Sequence, residues 1–334
     1  MQAPIYFDTR WNGNHGIGRF STELQNRLPG IVPLRIIGPK LSPFDPLAST
    51  LALAGQRSGC FLSPGFNPPL ASPIPFAFTI HDLVHLRVPE ESSALRRFYY
   101  RAVVRPATRK AWRILTVSEY SRADILAWSG LPPDKVQVVG NGVSPVFVPA
   151  TGGRPQRQPY LLHVGRRAGH KNIANLLRAF AASRSASQLR LVFTGAPDAV
   201  TLAAAARAGV APDRISFAGP VSDDSLLRLY QHSIALVFPS LHEGFGLPIV
   251  EAMATGTPVI TSDTSSMPEV AGEGNALLAD PRDPHALAAA MDRVVEDESL
   301  WQTLSARGLA RARDFDWDTV SRRVAEALQW AARA

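Results

Sequence analysis

Residues 234–251 read Ile-Ala-Leu-Val-Phe-Pro-Ser-Leu-His-Glu-Gly-Phe-Gly-Leu-Pro-Ile-Val-Glu, and this stretch decides the fold. The apolar run 234–238 reads as a strand. A Pro-Ser-Leu-His connection follows, then a Gly-containing loop, then a helical reading through Glu251, Ala252 and Met253. Pro248 suits the first helical position, where a missing N–H is no loss. The amides of Gly244, Phe245, Gly246 and Leu247 then fall at a helix N-terminus, where unpaired donors and partial positive charge seat an anion. Glu243 stands at the mouth of that seat and Glu251 about one turn inside the helix. Two carboxylates beside an anion seat suit a ligand carrying both phosphates and hydroxyls. Taken alone, the stretch also fits a Gly-rich turn with two solvated glutamates.

Upstream, residues 160–164 read as a strand that ends in Gly165-Arg166-Arg167-Ala168-Gly169-His170-Lys171-Asn172, with a helix over 173–182. Arg166 and Lys171 flank this loop. Such a pair holds a diphosphate without a metal, Arg as a fork and Lys as a point charge. The loop is not a Walker A sequence, since the Gly-Lys-Ser/Thr order is missing. Residues 191–194, 215–218 and 258–261 supply further strands, each followed by loop and helix, so this half reads as a Rossmann-like sheet. Its loops should bring Arg166, Lys171, Gly195, residues 243–251 and Thr264-Ser265-Ser266 to one crevice. Residues 316–332 are amphipathic through Val320, Val324, Leu328 and Trp330 and are expected to pack back over the domain junction.

The other half repeats the alternation of strands with turns or helices, at 4–7, 32–37, 76–80, 114–117 and 136–139. After the first strand, Gly16-x-Gly18 reads as a turn into a helix beginning at Arg19, with Phe20, Leu24 and Leu28 on one face. No third glycine completes a dinucleotide fingerprint, and a tight structural turn explains the pair equally well. His81 and Asp82 follow the strand at 76–80, at the end where such sheets bind ligands. They fit either an acid–base pair or a helix-capping Asp beside a hydrogen-bonded His. Ser118 and Ser121 follow the next strand and could equally be caps. A helix over 91–112 carries Arg97, Arg101, Arg105 and Arg109 at every fourth residue among aromatics, with Pro106 interrupting it. This row suits an anionic membrane or a lipid phosphate, or is a solvated face. The Gly- and Pro-rich residues 151–159 mark the domain junction. The expected division is 1–153 for the acceptor, 154–315 for the donor, and a returning helix in 316–334.

The 334 residues allow two full cores, and 46% hydrophobic with 19% charged residues describes a globular chain. No apolar run approaches a bilayer span, and the beginning lacks a signal-peptide pattern. A single cysteine, Cys60, fits a reducing compartment, so a cytoplasmic location is expected. The net charge of +7 calls for a nucleic acid, an anionic membrane or phosphorylated substrates. No nucleic-acid-binding motif is evident. Asp314-x-Asp316-x-Asp318 imitates a metal-binding Asp-x-Asp, but it opens the terminal helix, where Asp316 reads as an N-cap. His163, His170 and His242 lack metal spacing, so no metal is expected.

Taken together, these elements resemble glycosyltransferase family 4, retaining enzymes of the GT-B fold, over nearly the whole chain. The most specific element is the pair of glutamates eight residues apart, Glu243 and Glu251. Val164-Gly165-Arg166 through Lys171-Asn172, Ile80-His81-Asp82, Asn141-Gly142-Val143 and Thr116-Val117-Ser118 also match. The resemblance implies an α/β architecture of two Rossmann-like domains whose parallel sheets face each other across a cleft. It implies that Glu251 binds the ribose, and that Glu243 with the amides of Gly244 to Leu247 holds the sugar and distal phosphate. Arg166 and Lys171 would stabilise the leaving diphosphate in place of a metal, and His81 would touch the sugar. Gly16, Gly18, Gly165, Gly195 and Val221 are assigned to the donor site, and Asp82 and Arg19 to the acceptor. A finer resemblance, through Gly16-Ile17-Gly18-Arg19-Phe20 and residues 264–270, is to bacterial mannosyltransferases that build surface polysaccharide from GDP-mannose. Here His15 stands where a further glycine is common. The implied partners are a nucleotide sugar, a lipid-linked saccharide and an anionic inner membrane, with no cofactor. Glucosyl or rhamnosyl transfer from a UDP-, ADP- or dTDP-sugar, or a non-catalytic binding subunit, remain alternatives.

Overall fold

A computed structural model describes residues 3–13, 16–40, 42–155 and 159–329, without the side chains of Ala186, Ser187 and Gln329. His15 and Trp330 lie outside the described residues. The chain divides into two units, residues 1–142 with 316–334, and residues 143–315. The boundary thus falls between Gly142 and Val143, upstream of the Gly- and Pro-rich stretch that the sequence singles out.

The first unit is built on six parallel strands: β1 (Ile5–Phe7), β2 (Ile31–Pro33), β3 (Cys60–Ser63), β4 (Phe76–Thr79), β5 (Arg113–Thr116) and β6 (Val136–Val138). Their order is β2-β1-β3-β4-β5-β6. β3 is absent from the sequence reading. Cys-Phe-Leu-Ser is four residues long, and every one is buried. A strand covered on both faces shows no polar alternation by which to recognise it.

The second unit also has six parallel strands: β7 (Tyr160–His163), β8 (Arg190–Phe193), β9 (Ile215–Phe217), β10 (Ala235–Phe238), β11 (Val259–Ser262) and β12 (Leu277–Ala279). Their order, β12-β11-β10-β7-β8-β9, reverses direction between β7 and β10. Ligands of open parallel sheets bind outside the carboxyl ends of the strands at such a reversal. The helix Ile173–Ala182 forms where the sequence predicts it. Leu176, Leu177 and Phe180 sit on one face and are buried against Leu161, Leu191 and Phe193 of the sheet. Burial of that order is worth about 1.5–3 kcal/mol per side chain.

Two helices differ from the sequence reading. The first runs Gly16–Arg27, so Gly16 and Gly18 form its opening turn and not a turn before it. A Cβ on residue 18 would lie 2.6 Å from the Gly13 carbonyl oxygen, so the close approach of the chain explains the glycine. The expected helix over 91–112 is three segments: Ala94–Tyr99, a π-turn at Tyr100–Val104, and Arg105–Lys110. Pro106 lacks an N–H and its ring crowds the carbonyl four residues back; the wider turn lies just ahead of it. Arg97, Arg101, Arg105 and Arg109 are all exposed.

The helix Trp317–Gln329 belongs to the first unit. Trp317 is buried, with its ring 6.2 Å from Phe20, and Val320, Val324 and Leu328 are buried with it. Asp316 accepts from Thr319 N at 2.9 Å, as an N-cap does. Asp314 pairs with Arg311 and Asp318 with Arg27, both at 2.9 Å, so the three aspartates have separate partners. Among the described residues, no helix is long and apolar enough to cross a membrane.

Candidate active site

The loops after β7 and β10 meet at the reversal point of the second sheet. Leu241 N donates to His170 O at 2.7 Å, and Asn172 Nδ2 donates to Pro239 O at 3.0 Å. A second layer fixes the β10 loop to β11. Thr261 Oγ1 donates to Phe238 O at 2.8 Å and Ser262 Oγ to Ser240 O at 2.7 Å. Farther on, Ser265 Oγ accepts from Glu243 N at 2.9 Å and donates to Glu243 O at 2.7 Å. Ser266 Oγ also reaches Glu243 O, at 2.9 Å. The backbone of Glu243 is therefore clamped, and its carboxylate is aimed by the fold and not by chance.

That carboxylate meets Lys171. Nζ lies 2.6 Å from Oε1, and both side chains are largely buried. His170 Nε2 stands 3.9 Å from the same oxygen. Burial alone would raise the Glu243 pKa. The Lys171 ammonium, followed by His170, outweighs it and holds the carboxyl below its ordinary range. Lys171 also lies over the Phe238 ring, 4.5 Å from its centroid. An ammonium has three donors, and Glu243 engages one of them.

Behind Phe238 sits His163, fully buried, with its ring stacked on Phe238 at 6.1 Å and 19°. Its Nδ1 donates to Val237 O at 2.9 Å, and Nε2 has no partner among the described residues. Burial lowers the His163 pKa to about 4, so the ring is neutral at pH 7.

A cavity of about 490 Å³ opens beside these loops, lined by Gly165, Arg166, Arg167, Thr194, Gly195, Asp198 and Val221. It gathers four residues that the sequence assigns to the donor: Gly165, Arg166, Gly195 and Val221. The two neighbouring arginines are in different states. Arg167 is locked, with Nε 2.5 Å from Asp198 Oδ2, Nη1 on Thr194 O at 2.7 Å, and Nη2 on Ala196 O. Arg166 is exposed, with no side-chain partner among the described residues. Its planar fork is available to a phosphate.

The helix after the Gly loop runs Leu247–Ala254, with Pro248 in its first turn. Gly246 caps it at φ 96°, a left-handed conformation that favours glycine. Phe245 is buried edge-to-face against Phe315, with centroids 5.5 Å apart. Glu251 is 5% exposed, and its Oε2 accepts from Tyr230 Oη at 2.9 Å. It does not line the cavity around Arg166.

In the first unit, half-buried His81 follows β4. Its Nε2 donates to Pro64 O at 2.9 Å, and the ring packs edge-on against Phe20 at 4.9 Å. Asp82 Oδ1 accepts from Val84 N at 3.0 Å, a local turn contact, and the short helix Val84–Arg87 that follows has no side-chain cap. Ser118 caps the helix Glu119–Ser129 through Ser121 N. Ser121 Oγ donates to His81 O at 3.0 Å. Arg19 is half-buried in the opening helix.

Sequence reasoning missed His170, Tyr230 and the Arg167–Asp198 lock. Only the adjacency of His170 to Lys171 could have signalled it. A model of the family described as Glycosyltransferase Family 4 matches residues 57–147, and one described as Glycosyl transferases group 1 matches residues 148–311. O-antigen chain mannosyltransferase B of Escherichia coli is 32% identical over 265 residues, 75% of this chain and 69% of that protein. The chain belongs to the family 4 glycosyltransferases. This glycosyltransferase has the two-domain α/β GT-B fold. Sucrose-phosphate synthase of Thermosynechococcus elongatus, 20% identical, matches 97% of each chain with a TM-score of 0.77. HepE of Anabaena, solved in complex with UDP-glucose, is 18% identical and matches 98% of this chain and 99% of its own with a TM-score of 0.74.

Proposed function

We propose that this glycosyltransferase moves mannose from GDP-mannose to a hydroxyl of a lipid-linked saccharide, in the synthesis of a surface polysaccharide or lipopolysaccharide. The observation that carries the reading is the clamped Lys171–Glu243 pair at the reversal point of the second sheet, with Arg166 exposed at the adjoining cavity and unpartnered among the described residues. The mannosyl specificity rests on the likeness to the Escherichia coli O-antigen enzyme.

In this reading the bond from the sugar C1 to the diphosphate oxygen breaks, and the acceptor oxygen bonds to C1 from the same face. The acceptor proton passes to the departing phosphate oxygen, so the anomeric configuration is kept and no enzymic nucleophile is needed. Arg166 and the two remaining Lys171 donors stabilise the charge that develops on the diphosphate. They supply the electrostatic role that a metal fills in other transferases. Glu243 orients Lys171 and meets the sugar hydroxyls, Glu251 is assigned to the ribose, and His81 to the sugar near the reacting carbon. The reaction is assigned to the cytoplasmic face of the inner membrane, where the exposed arginine row meets anionic lipid.

HepE, solved with UDP-glucose, favours a second reading in which the donor is a UDP-sugar. Calorimetric titration with GDP-mannose, UDP-glucose, ADP-glucose and dTDP-rhamnose separates the two. Tightest binding of GDP-mannose, turnover that survives EDTA, and an α-linked product by NMR are expected. If none of these sugars binds at millimolar concentration, the donor reading fails, and with it the assignment of Arg166 and Lys171.

A further inference from the structure

A second pocket, of about 420 Å³, lies wholly in the first unit. Its walls include Phe66, just after β3, and His85, after β4, with Pro43 following β2, so it opens beyond the carboxyl ends of neighbouring parallel strands. This is the end of such a sheet where ligands bind, and the volume is that of a small-molecule site. The lining is aromatic. Phe66 stacks on Tyr100 at 5.7 Å and 22°, and Tyr99 and Val103 continue the wall along the π-turn.

The rim is of a different character. Leu95 is 71% exposed and Phe98 is 67% exposed, an unusual display for large apolar side chains. Arg96 is part of this lining, and exposed Arg97, Arg101 and Arg105 follow it along the same run of chain, outside the lining. None of these four guanidinium groups forms an ion pair among the described residues. Arg96 donates to the Glu91 carbonyl at 2.6 Å, and Arg97 to Ser92 Oγ at 2.8 Å. Burial, followed by the nearby Arg96, lowers the His85 pKa, so His85 presents an uncharged ring to the pocket. An apolar pocket with the Arg96 guanidinium in its lining, and no ion pair on it among the described residues, complements a molecule with a hydrocarbon chain and an anionic head. A free sugar or a nucleotide has no chain to fill it.

We propose that this pocket holds the hydrocarbon chain of a phosphorylated lipid, with the phosphate on Arg96 at its edge. The inference rests on the reading of a lipid-linked acceptor and adds where, in the first unit, the carrier chain is seated. The π-turn lets residues 99, 100 and 103 form one wall of the pocket while Arg97, Arg101 and Arg105 stay exposed.

The test is titration of the full chain with n-dodecyl phosphate below its micellar concentration, followed by intrinsic fluorescence. Trp128, whose ring centroid is 5.9 Å from Tyr100, serves as the reporter. One saturable site is expected, with dodecyl maltoside binding about tenfold more weakly for want of the anionic head. Val103→Trp, which fills the pocket, should weaken dodecyl phosphate by at least roughly tenfold. Phe98→Ser, at an exposed position that does not threaten folding, should weaken it less, and Arg96→Glu/Arg97→Glu should abolish the preference for phosphate. Thermal melting shows that each variant has folded. Absence of saturation, or affinities unchanged in both Phe98→Ser and the Arg double variant, overturns the proposal. So does binding confined to anionic vesicles with none to soluble dodecyl phosphate, which would make these helices a bilayer-facing surface. Saturable dodecyl phosphate with no nucleotide-sugar binding supports the pocket while the donor reading falls.

Discussion

The two units share six parallel strands but use their carboxyl ends differently. The second unit concentrates charge there. Lys171, Glu243 and Arg166 stand on loops stitched together by backbone and serine hydrogen bonds. The first unit places aromatic side chains at that end. Its charged cluster is turned inward and satisfied: Arg10 bridges Asp8 at 2.7 Å and Asp45 at 2.6 Å, and Asn67 donates to Asp45. A buried, fully paired network of this kind fixes a conformation and leaves little charge for a ligand. An ion pair beside an unpartnered arginine does the reverse. The same architecture therefore offers an anion site in one unit and an apolar one in the other, and strand order alone does not say which.

Breaking the charged side should have the largest effect. Arg166→Ala or Lys171→Ala is expected to lower kcat roughly 100- to 1,000-fold, the usual effect of removing one donor to developing charge. Melting temperatures should change little for Arg166→Ala, since that side chain holds nothing in place. Equal kcat in variant and wild type would remove these residues from the mechanism.

A second measurement sharpens what is structural in the charged unit. His163 is neutral when folded, with a pKa of about 4, and has an ordinary value of 6.5 when unfolded. Between these values the unfolded chain takes up a proton that the folded chain does not, so stability falls as pH drops from 6.5 toward 4. The upper bound on that loss is about 3 kcal/mol. His163→Phe should flatten this part of the profile, read by urea unfolding at a series of pH values. The same sign applies to Glu243, whose depressed pKa contributes stability that is present above the ordinary carboxylate value and lost as pH falls below it. The two slopes are therefore separable by pH window.

The smallest expected effect lies in the first unit. Gly18→Ala would gain about 1 kcal/mol from helix propensity. It would meet the Gly13 carbonyl at 2.6 Å, and overpacking of that kind costs about 1–3 kcal/mol. Net destabilisation is expected by thermal melting. A stabilised variant would show that the chain at residue 13 yields easily.

Much of the charged site was legible because its signals are local. A strand, a Gly loop and Pro248 mark a helix start, and Arg166 and Lys171 sit a few residues apart on one loop. What was not legible depends on partners distant in sequence. Arg167 looks no different from Arg166 until Asp198, thirty-one positions away, is seen to hold it. Glu251 meets Tyr230 across twenty-one positions of sequence. β3 and β12 are short, and β3 is wholly buried, so neither periodicity nor length betrays them. The π-turn arises from the conflict between Pro106 and a helix that continues past it.

The helix Trp317–Gln329 has a consequence for how the protein comes to exist. The chain leaves the first unit after Gly142 and returns to it at Asp316, and Val143 N donates to Phe315 O at 3.0 Å where the two crossings run together. During translation the second unit emerges as one uninterrupted segment and can close by itself. The first unit, begun earlier, must wait with the Phe20 and Gly142 surfaces uncovered until residues 317–329 leave the ribosome. The half synthesised first is thus completed last, and it is the half that a chaperone would find waiting.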